Sequence, residues 1–369
     1  MSPRAPNVLV LGAVLGQRPG GVRRHNVELL PRAARLLGER GGTLAILEGT
    51  TPIPDELREG IRCIPSNVPF HPPARRFLAE GRAARRAIRA ADRTSSPFDL
   101  VHTAHLPTPR VPLPLTLTLH DLRDLELPTK KPLRRIAAPG LLKRSIRRAQ
   151  QVVVVSETVR ASLEARFAPR AVRLVPNAAD HLPRLPREKA AARTGPLLHV
   201  GHVEPRKNLG LLLRALSLDH DLPRLLLAGA PKGEEEARLR ELARSLGVAD
   251  RVQFLGQVTD AALPRLYAQA ACVVLPSFLE GFGIPVLEAQ RAGTPLAISN
   301  TGALPEVAGP GVPTFPPDDP AAAAEAIRAA LATDEDVLEE RARRAERSSW
   351  EESARALVGA WCEAAGRGS

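Results

Sequence analysis

The sequence predicts an α/β protein of two domains, each built on a parallel β-sheet. In both halves of the chain, short apolar runs of strand length alternate with longer amphipathic segments of helical length. This alternation is the pattern of repeated βαβ units. A polar, proline-containing stretch at residues 181–195 separates the halves and is typical of a linker. The 369 residues suffice for two cores of ordinary size. We therefore expect two sheets whose strand ends face each other across a cleft.

The composition is that of a folded protein in a reducing compartment. Hydrophobic residues make up 44% of the chain, which argues against wholesale disorder. No apolar run approaches the roughly 18 residues that cross a bilayer, and the N-terminal stretch lacks a secretory pattern. The cysteines, Cys63, Cys272 and Cys362, are widely spaced and odd in number, which argues against a disulfide framework. We expect a cytoplasmic protein.

The net charge of +12 predicts attraction to anions without naming one. Aromatic residues make up only 3% of the chain, which disfavours base stacking and single-stranded nucleic acid as a ligand. Two basic stretches, residues 75–93 and 130–151, leave open a peripheral contact with the anionic inner face of a membrane. For residues 75–93 the alternative is an ordinary solvated helix face beside a narrow apolar stripe.

The stretch from Cys272 to Val307 predicts an anion site that also carries two acids. The apolar run CVVL indicates a buried strand, the loop SFLEGFG follows, and Pro285 stands where a helix begins. A glycine-containing loop before a helix N-terminus favours negative charge. Glu280 and Glu288 would repel phosphate there, so we expect them to meet the hydroxyl groups on either side of it. The alternative is a surface loop with two solvated glutamates.

Three further stretches place polar groups where strands end. Gly20 and Gly21 precede a helix, although the loop lacks the full dinucleotide-binding glycine pattern and a tight turn is the alternative. His120 ends the apolar run PLTLTLH and is placed to donate to phosphate or sugar, unless it only caps the strand. Arg206 and Lys207 follow the run LLHVG. Two cations before a helix favour the binding of a diphosphate over the alternative, a solvated helix start without a ligand.

These motifs together resemble one enzyme family. EGFGIPVLEAQRAGTP resembles the Glu-x7-Glu signature of the retaining glycosyltransferases of family 4, the group 1 type, which have the GT-B fold of two Rossmann-like domains. EPRKNL, FLGQVTD, RLVPNAAD and the strand-end His-Asp are similar to further segments of that family. The resemblance implies catalytic roles for His120 and Glu280. It implies a donor site made of Gly20, Gly21, Arg206, Lys207, Gln257, Val258, Glu280, Gly281, Phe282, Gly283 and Glu288.

Within that resemblance the residues have separate roles. Glu280 would contact the donor sugar, Glu288 the ribose, and Lys207 with Arg206 the diphosphate. Gln257 and Val258 would lie at the nucleobase. The chain departs from the family where His202 stands in place of a usual arginine. Ala178 likewise replaces a usual glycine.

The family resemblance also implies the domain boundaries. An acceptor-side domain would span residues 1–180 and a donor-side domain residues 181–348. A last helix, within 349–369, would cross back to the first domain, with Trp350 and Trp361 as anchors.

The function that the family resemblance implies is transfer of a hexose, mannose as first choice, from GDP-mannose or a UDP-sugar to a saccharide or lipid-linked acceptor. Polysaccharide or glycolipid assembly would be the setting. No cofactor and no metal is expected, since Asp334, Glu335 and Asp336 fit a solvated helix start better than a metal motif. One alternative is a nucleotide-sugar-binding subunit with little catalysis. A charge-driven nucleic-acid binder and a nicotinamide enzyme are disfavoured, because the sequence contains neither a nucleic-acid recognition motif nor the dinucleotide-binding fingerprint.

Overall fold

The computed structural model describes residues 4–15, 20–126, 132–184 and 194–366. The described chain divides into two units. The first comprises residues 1–177 with 350–369, and the second residues 178–349. Most of the predicted linker, residues 185–193, lies outside the described part.

In the described residues, the first unit holds a seven-stranded parallel sheet. Its strands are β1 (Asn7–Leu11), β2 (Thr43–Glu48), β3 (Arg62–Pro65), β4 (Leu100–Thr103), β5 (Leu115–Leu119), β6 (Gln151–Val154) and β7 (Val172–Leu174). Its helices up to β7 are α1 (Gly21–Gly38), α2 (Pro73–Ala91), α3 (Arg123–Glu126), α4 (Pro132–Arg148) and α5 (Glu157–Arg166). The strand order is β3-β2-β1-β4-β5-β6-β7.

In the described residues, the second unit holds a six-stranded parallel sheet. Its strands are β8 (Leu197–Val200), β9 (Leu225–Ala228), β10 (Val252–Gly256), β11 (Cys272–Leu275), β12 (Leu296–Ser299) and β13 (Thr314–Phe315). Its helices are α6 (Leu209–Leu218), α7 (Glu235–Ser245), α8 (Leu263–Gln269), α9 (Ile284–Arg291), α10 (Leu304–Ala308), α11 (Pro320–Leu331) and α12 (Glu335–Glu346). The order is β10-β9-β8-β11-β12-β13.

Burial on both faces explains why the strands read as continuous apolar runs. In β8, Leu197 belongs to one hydrophobic cluster and Leu198 to another, as expected when successive side chains point to opposite faces. Helices cover each face, which leaves the loops at the strand ends to carry polar chemistry. The predicted α/β class with two parallel, Rossmann-like sheets is therefore confirmed.

The last helix, α13 (Trp350–Gly366), belongs to the first unit and packs against α1. Trp350 and Trp361 are both fully buried there. Ser353 on the same helix donates a hydrogen bond of 2.7 Å to the carbonyl oxygen of Pro176. The helix is thus fixed by aromatic burial and by a polar contact. None of the described helices combines the length and apolar character needed to cross a bilayer.

Helix α2 carries the first basic stretch, and its inner face is less apolar than the sequence predicts. Ala84 and Ile88 are buried as expected, but Arg76 and Glu80 are buried with them. Arg76 donates to the carbonyl oxygens of Phe70 and Leu106, and Glu80 accepts a hydrogen bond of 2.8 Å from His105. These polar partners make the burial of two charged side chains tolerable.

Strand order locates the points where ligands bind in such sheets. In the second unit β8 lies between β9 and β11. The chain first adds β9 and β10 on one side of β8 and then adds β11 on the other side. The loops that follow β8 and β11 therefore leave the sheet in different directions and open a crevice between them. In the first unit the corresponding point lies between β1 and β4.

Candidate functional site

The loops after β8 and β11 are joined by hydrogen bonds at the crevice of the second unit. The loop after β8 ends in a 3-10 turn, Pro205–Lys207. The backbone N–H of Phe278 donates to the carbonyl oxygen of Arg206 at 3.0 Å, and the Arg206 guanidinium donates to the carbonyl oxygen of Leu279 at 2.7 Å. The two loops thus form one supported surface.

Glu280 lies at the centre of this surface, held by two cations and a hydroxyl. The ammonium Nζ of Lys207 lies 2.5 Å from Glu280 Oε1, and Nη1 of Arg206 lies 2.9 Å from Oε2. The hydroxyl of Ser277 donates to Oε1 at 2.7 Å. The side chains of Lys207 and Glu280 are only 10% and 12% exposed. The structure therefore brings three of the predicted site residues into direct contact.

A second carboxylate extends the cluster. Glu204 accepts from Nη2 of Arg206 at 2.8 Å and from Nζ of Lys232 at 3.0 Å. The surface therefore carries three cations and two carboxylates. The cations are Arg206, Lys207 and Lys232, and the carboxylates are Glu204 and Glu280. The formal sum is +1, so the site retains a net positive charge that favours an anionic ligand.

The carboxylates of this cluster stay ionised. Burial raises the pKa of Glu280, but the charges of Lys207 and then Arg206 outweigh burial and hold that pKa far below its usual range. Burial also raises the pKa of Glu204, but the charges of Arg206 and Lys232 outweigh burial and lower that pKa below its usual value. Ionised carboxylates accept hydrogen bonds only, which suits them to the hydroxyl groups of a sugar.

Gly302 lets the backbone approach Glu280. Its φ is +58°, and a Cβ there would lie 2.5 Å from the carbonyl oxygen of Glu280. The next residue, Ala303, donates its N–H to that same oxygen at 2.9 Å. Only glycine fits both the left-handed conformation and the contact. The β12–α10 turn therefore fixes the backbone of Glu280 from behind.

Glu288 lies on α9, which begins after Gly283. Gly283 has a φ of +92° and Pro285 stands in the first turn, as the sequence predicts. The Glu288 carboxylate is buried. Its Oε1 lies 3.0 Å from Nε2 of His181, and its Oε2 accepts from the hydroxyl of Tyr267 at 2.5 Å. The carboxylate predicted to hold ribose thus has two protein partners within its own unit.

His120 follows β5 in the first unit and faces a second imidazole. Its ring centroid lies 4.7 Å from that of His25 in an edge-on arrangement, and His25 Nδ1 lies 2.7 Å from Oδ1 of Asn177. Nε2 of His120 is buried without a hydrogen-bond partner among the described residues. Burial lowers the pKa of His120 well below its usual value, with the charges of His25 and Arg123 adding to the effect. A neutral imidazole with one unused nitrogen results.

The other predicted donor residues are spread over both units. Gly20 and Gly21 stand exposed at the start of α1, where Gly20 accepts a hydrogen bond of 2.9 Å from the N–H of Arg24. Gln257 is exposed after β10, whereas Val258 packs on a core cluster. Gly281 and Phe282 are buried in the loop before α9, between Glu280 and Gly283.

His202 occupies the position where the predicted family usually has arginine. It is half-buried in the loop after β8. Burial lowers its pKa to about 4, and the positive charge of Lys232 contributes. It is therefore neutral at pH 7, whereas Arg206 next to the same loop is charged and touches Glu280. The positive charge of this loop therefore comes from Arg206 and Lys207 and not from residue 202.

Sequence reasoning missed the residues that support the predicted ones. They are polar side chains that bond to the site residues, namely His181, Glu204, Lys232, Tyr267 and Ser277. Glu204 and Ser277 lie inside the quoted motifs, so their polarity was a usable signal. Tyr267 and His181 lie 21 and 107 residues from Glu288, and nothing in the local sequence links them to it. Across the described residues, no group of three or more His, Cys, Asp or Glu is arranged to hold a metal ion.

Models of two protein families match consecutive parts of the chain. The model described as glycosyltransferase family 4 matches residues 19–181. The model described as glycosyl transferases group 1 matches residues 187–349. Each model falls largely on one of the two units, and the second contains the cluster around Glu280.

Curated relatives share about a third of their aligned residues with this chain. O-antigen chain mannosyltransferase B of Escherichia coli is 34% identical over 207 residues, 52% of this chain and 54% of the relative. A D-inositol 3-phosphate glycosyltransferase of Saccharomonospora viridis is 32% identical over 305 residues, 74% and 66% of the two chains. The match spans about half of the first relative and about two thirds of the second.

Solved structures share the fold at low sequence identity. Sucrose-phosphate synthase from Thermosynechococcus elongatus superposes with a TM-score of 0.76 at 22% identity, covering 95% of this chain and 97% of that one. Anabaena HepE in complex with UDP-glucose superposes with a TM-score of 0.67 at 18% identity, covering 96% and 100%. Both likenesses extend over nearly the whole chain.

Proposed function

Because the chain belongs to the group 1 glycosyltransferases of family 4, we propose that it transfers a hexose from a nucleoside diphosphate sugar to an acceptor hydroxyl. The anomeric configuration is retained and no metal ion takes part. The observation that carries the proposal is the buried contact of Glu280 with Lys207 and Arg206 at the crevice between β8 and β11. A sugar joined to a diphosphate offers hydroxyl groups for the acid and phosphate oxygens for the cations.

Donor binding would exchange the partners inside this cluster. Lys207 and Arg206 now neutralise Glu280, and a diphosphate brings phosphate oxygens that compete for both cations. The freed lone pairs of the carboxylate then accept hydrogen bonds from the sugar hydroxyls. Glu280 thus keeps the cations oriented before the donor arrives and orients the sugar afterwards.

Bond cleavage leaves negative charge on the departing diphosphate. Lys207, Arg206 and the N-terminus of α9 supply positive charge there without rearrangement of solvent. These groups supply the charge that a metal ion would otherwise provide. His120 is proposed to donate to the sugar or its phosphates through its unused nitrogen. The remaining predicted donor residues, Gly20, Gly21, Gln257, Val258, Gly281, Phe282, Gly283 and Glu288, keep the roles that the family resemblance implies.

Glu280 is assigned an orienting role and not that of a nucleophile. Both of its oxygens accept hydrogen bonds from cations, and Lys207 and Arg206 hold its pKa far below the usual range. Transfer without a covalent enzyme intermediate fits this environment. Nuclear magnetic resonance of the newly formed product tests retention, because an inverted anomeric centre contradicts it.

Mannose is the proposed sugar and GDP-mannose the first donor to test, with UDP-sugars next. The 34% identical relative is a mannosyltransferase, which supports the choice. The acceptor is proposed to be a saccharide or a lipid-linked saccharide of polysaccharide or glycolipid assembly in the cytoplasm. The basic residues of α2 support a peripheral contact with an anionic membrane, where such an acceptor is held.

A donor panel tests the proposed function. The melting temperature is measured with GDP-mannose, UDP-glucose, an ADP-sugar and a dTDP-sugar, each with and without Mg²⁺. At a concentration of about 100 Kd a true donor stabilises the fold by about 2.7 kcal/mol. We expect one nucleotide class to raise the melting temperature without Mg²⁺, and then to be turned over with a saccharide acceptor. A protein stabilised by none of them contradicts the proposal.

A further inference from the structure

Two side chains of the second unit hold the carboxylate of Glu288 by hydrogen bonds. Tyr267 on α8 donates its hydroxyl to Oε2 at 2.5 Å, and His181, in the turn before Pro183, reaches Oε1 at 3.0 Å. The side chains of His181 and Glu288 are 2% and 6% exposed, and Tyr267 is fully buried. Such burial is costly for a carboxylate unless both oxygens have partners.

The direction of both hydrogen bonds follows from the chemistry of the groups. Burial, followed by the charge of Glu288, raises the pKa of Tyr267 well above its usual value, so the phenol stays protonated and donates. An ionised carboxylate has no proton to give, so Nε2 of His181 carries the hydrogen in this contact. Each oxygen of Glu288 therefore receives one hydrogen bond from the protein.

Two occupied oxygens fix the plane of the carboxylate. A carboxylate has about four lone-pair sites, and two of them remain after Tyr267 and His181 are counted. Two donors on different elements hold the group in one rotation, because turning it would break both bonds. The remaining lone pairs then point in fixed directions. A pair of vicinal hydroxyl groups needs such a prepared acceptor.

We propose that Tyr267 and His181 are positioning residues that aim the Glu288 carboxylate at the ribose hydroxyls of the nucleotide. This inference rests on the proposed function, since it takes Glu288 as the ribose contact. It goes beyond that function by naming the side chains that make the contact selective for a ribonucleotide. His181 lies only four residues after Asn177, the last residue of the first unit before the chain enters the second. The ribose contact is therefore connected to the segment through which the chain enters the second unit.

The test is the preference for a ribonucleotide over its deoxy analogue. Calorimetry gives the affinity of the full chain for GDP, UDP and their 2′-deoxy forms. Because a buried acceptor left without its hydroxyl is costly, the wild-type protein should prefer the ribose form by at least about fivefold. Tyr267→Phe and His181→Asn should reduce the preference to less than about threefold while affinity for the deoxy form stays within about twofold.

Two controls separate positioning from general damage to the fold. His181→Gln keeps a donor near the place of Nε2 and should retain the preference. Thr294→Val removes a buried hydrogen bond to the carbonyl oxygen of Tyr267 without touching Glu288, and should also retain it. Unchanged preference in both Tyr267→Phe and His181→Asn overturns the inference, and so does an equal loss in Thr294→Val.

The wild-type measurement separates this inference from the function on which it rests. A wild-type protein that binds these nucleotides without preferring ribose overturns the inference and leaves the proposed function standing. A wild-type protein that binds none of these nucleotides, and that no sugar nucleotide of the donor panel stabilises, contradicts the proposed function and the inference together.

Discussion

Glu280 shows how a residue role predicted from a motif acquires a mechanism from its contacts. The sequence places an acid in a glycine-containing loop, and the family resemblance implies a sugar contact. The structure adds that Lys207 and Arg206, more than 70 residues earlier, neutralise this acid. A motif cannot show this pairing, because it depends on the adjacency of β8 and β11 in the sheet.

At the residue scale, Gly302 should be needed for the position of Glu280. Gly302→Ala forces a left-handed alanine at a cost of about 1–2 kcal/mol and places a Cβ 2.5 Å from the Glu280 carbonyl oxygen. We expect transfer activity to fall by at least about tenfold, because small displacements at a site cost large factors in rate. Steady-state kinetics with the identified donor measures the loss.

Gly293→Ala is the matched control. Gly293 also has a left-handed φ, of +68°, but a Cβ there meets nothing within 4 Å. This variant should lose a similar free energy of unfolding from backbone strain and keep its activity. Equal activities of the two variants would mean that the contact with Glu280 is unimportant.

Residues that act through another residue mark the limit of prediction from sequence. Arg206, Lys207, Glu280 and Glu288 stand in motifs that carry their chemistry, and the structure places the first three together. Tyr267 shares no motif with Glu288, and its role depends on the hydrogen bond that joins α8 to α9. Contacts of this kind depend on tertiary geometry, which local patterns do not encode.

At the element scale, helix starts follow local signals that the sequence displays. Helix α9 begins after a left-handed glycine with proline in its first turn. Helix α11 is capped by Asp319, whose carboxylate accepts from the N–H groups of Ala321 and Ala322 at 3.0 and 2.9 Å. Such boundaries are predictable because the capping groups are neighbours in sequence. By contrast, the burial of Arg76 in α2 depends on distant carbonyl groups and was not predicted.

The cap of α11 gives a prediction about stability. Asp319→Ala removes both capping hydrogen bonds and should lower the free energy of unfolding by about 1 kcal/mol. Asp318→Ala is the matched control, since Asp318 is an exposed neighbour for which no capping contact is seen among the described residues. Denaturant titration compares the two. If Asp318→Ala costs as much as Asp319→Ala, the cap does not stabilise the helix.

At the scale of the whole molecule, the two sheets confirm the fold predicted from alternating strands and helices. That prediction succeeded because apolar runs bounded by helical segments leave few arrangements other than parallel sheets. The approach of His25 to His120 in the first unit had no such signal. His25, His102 and His120 come from α1, β4 and the end of β5, and only the folded sheet brings them near one another.

These buried histidines should make the protein sensitive to acid. Burial lowers the pKa of His25 to about 4 and that of His102 to about 3. Below pH 6.5 the unfolded chain takes up protons that the folded chain refuses, so stability falls as pH falls from 6.5 toward 4. Each such histidine contributes at most about 1.4 kcal/mol per pH unit to this fall in the free energy of unfolding.

Denaturant titrations between pH 8 and 4 measure that slope. His102→Asn should make the slope shallower, whereas His220→Asn, at an exposed histidine, should leave it unchanged. A wild-type slope that stays flat from pH 6.5 to 5 contradicts the burial of neutral imidazoles.

The central claim is that Lys207 and Arg206 serve a diphosphate and that Glu280 serves the sugar. Calorimetric titration of GDP or UDP, which contain ribose but lack the donor hexose, tests it most directly. Lys207→Ala should weaken binding by at least about tenfold, because a charge-assisted contact contributes about 1.5–3 kcal/mol. Glu280→Gln should bind as tightly as the wild type or more tightly, since it releases both cations, while losing transfer activity. Unchanged affinity in Lys207→Ala, or near-normal turnover in Glu280→Gln, would contradict the account.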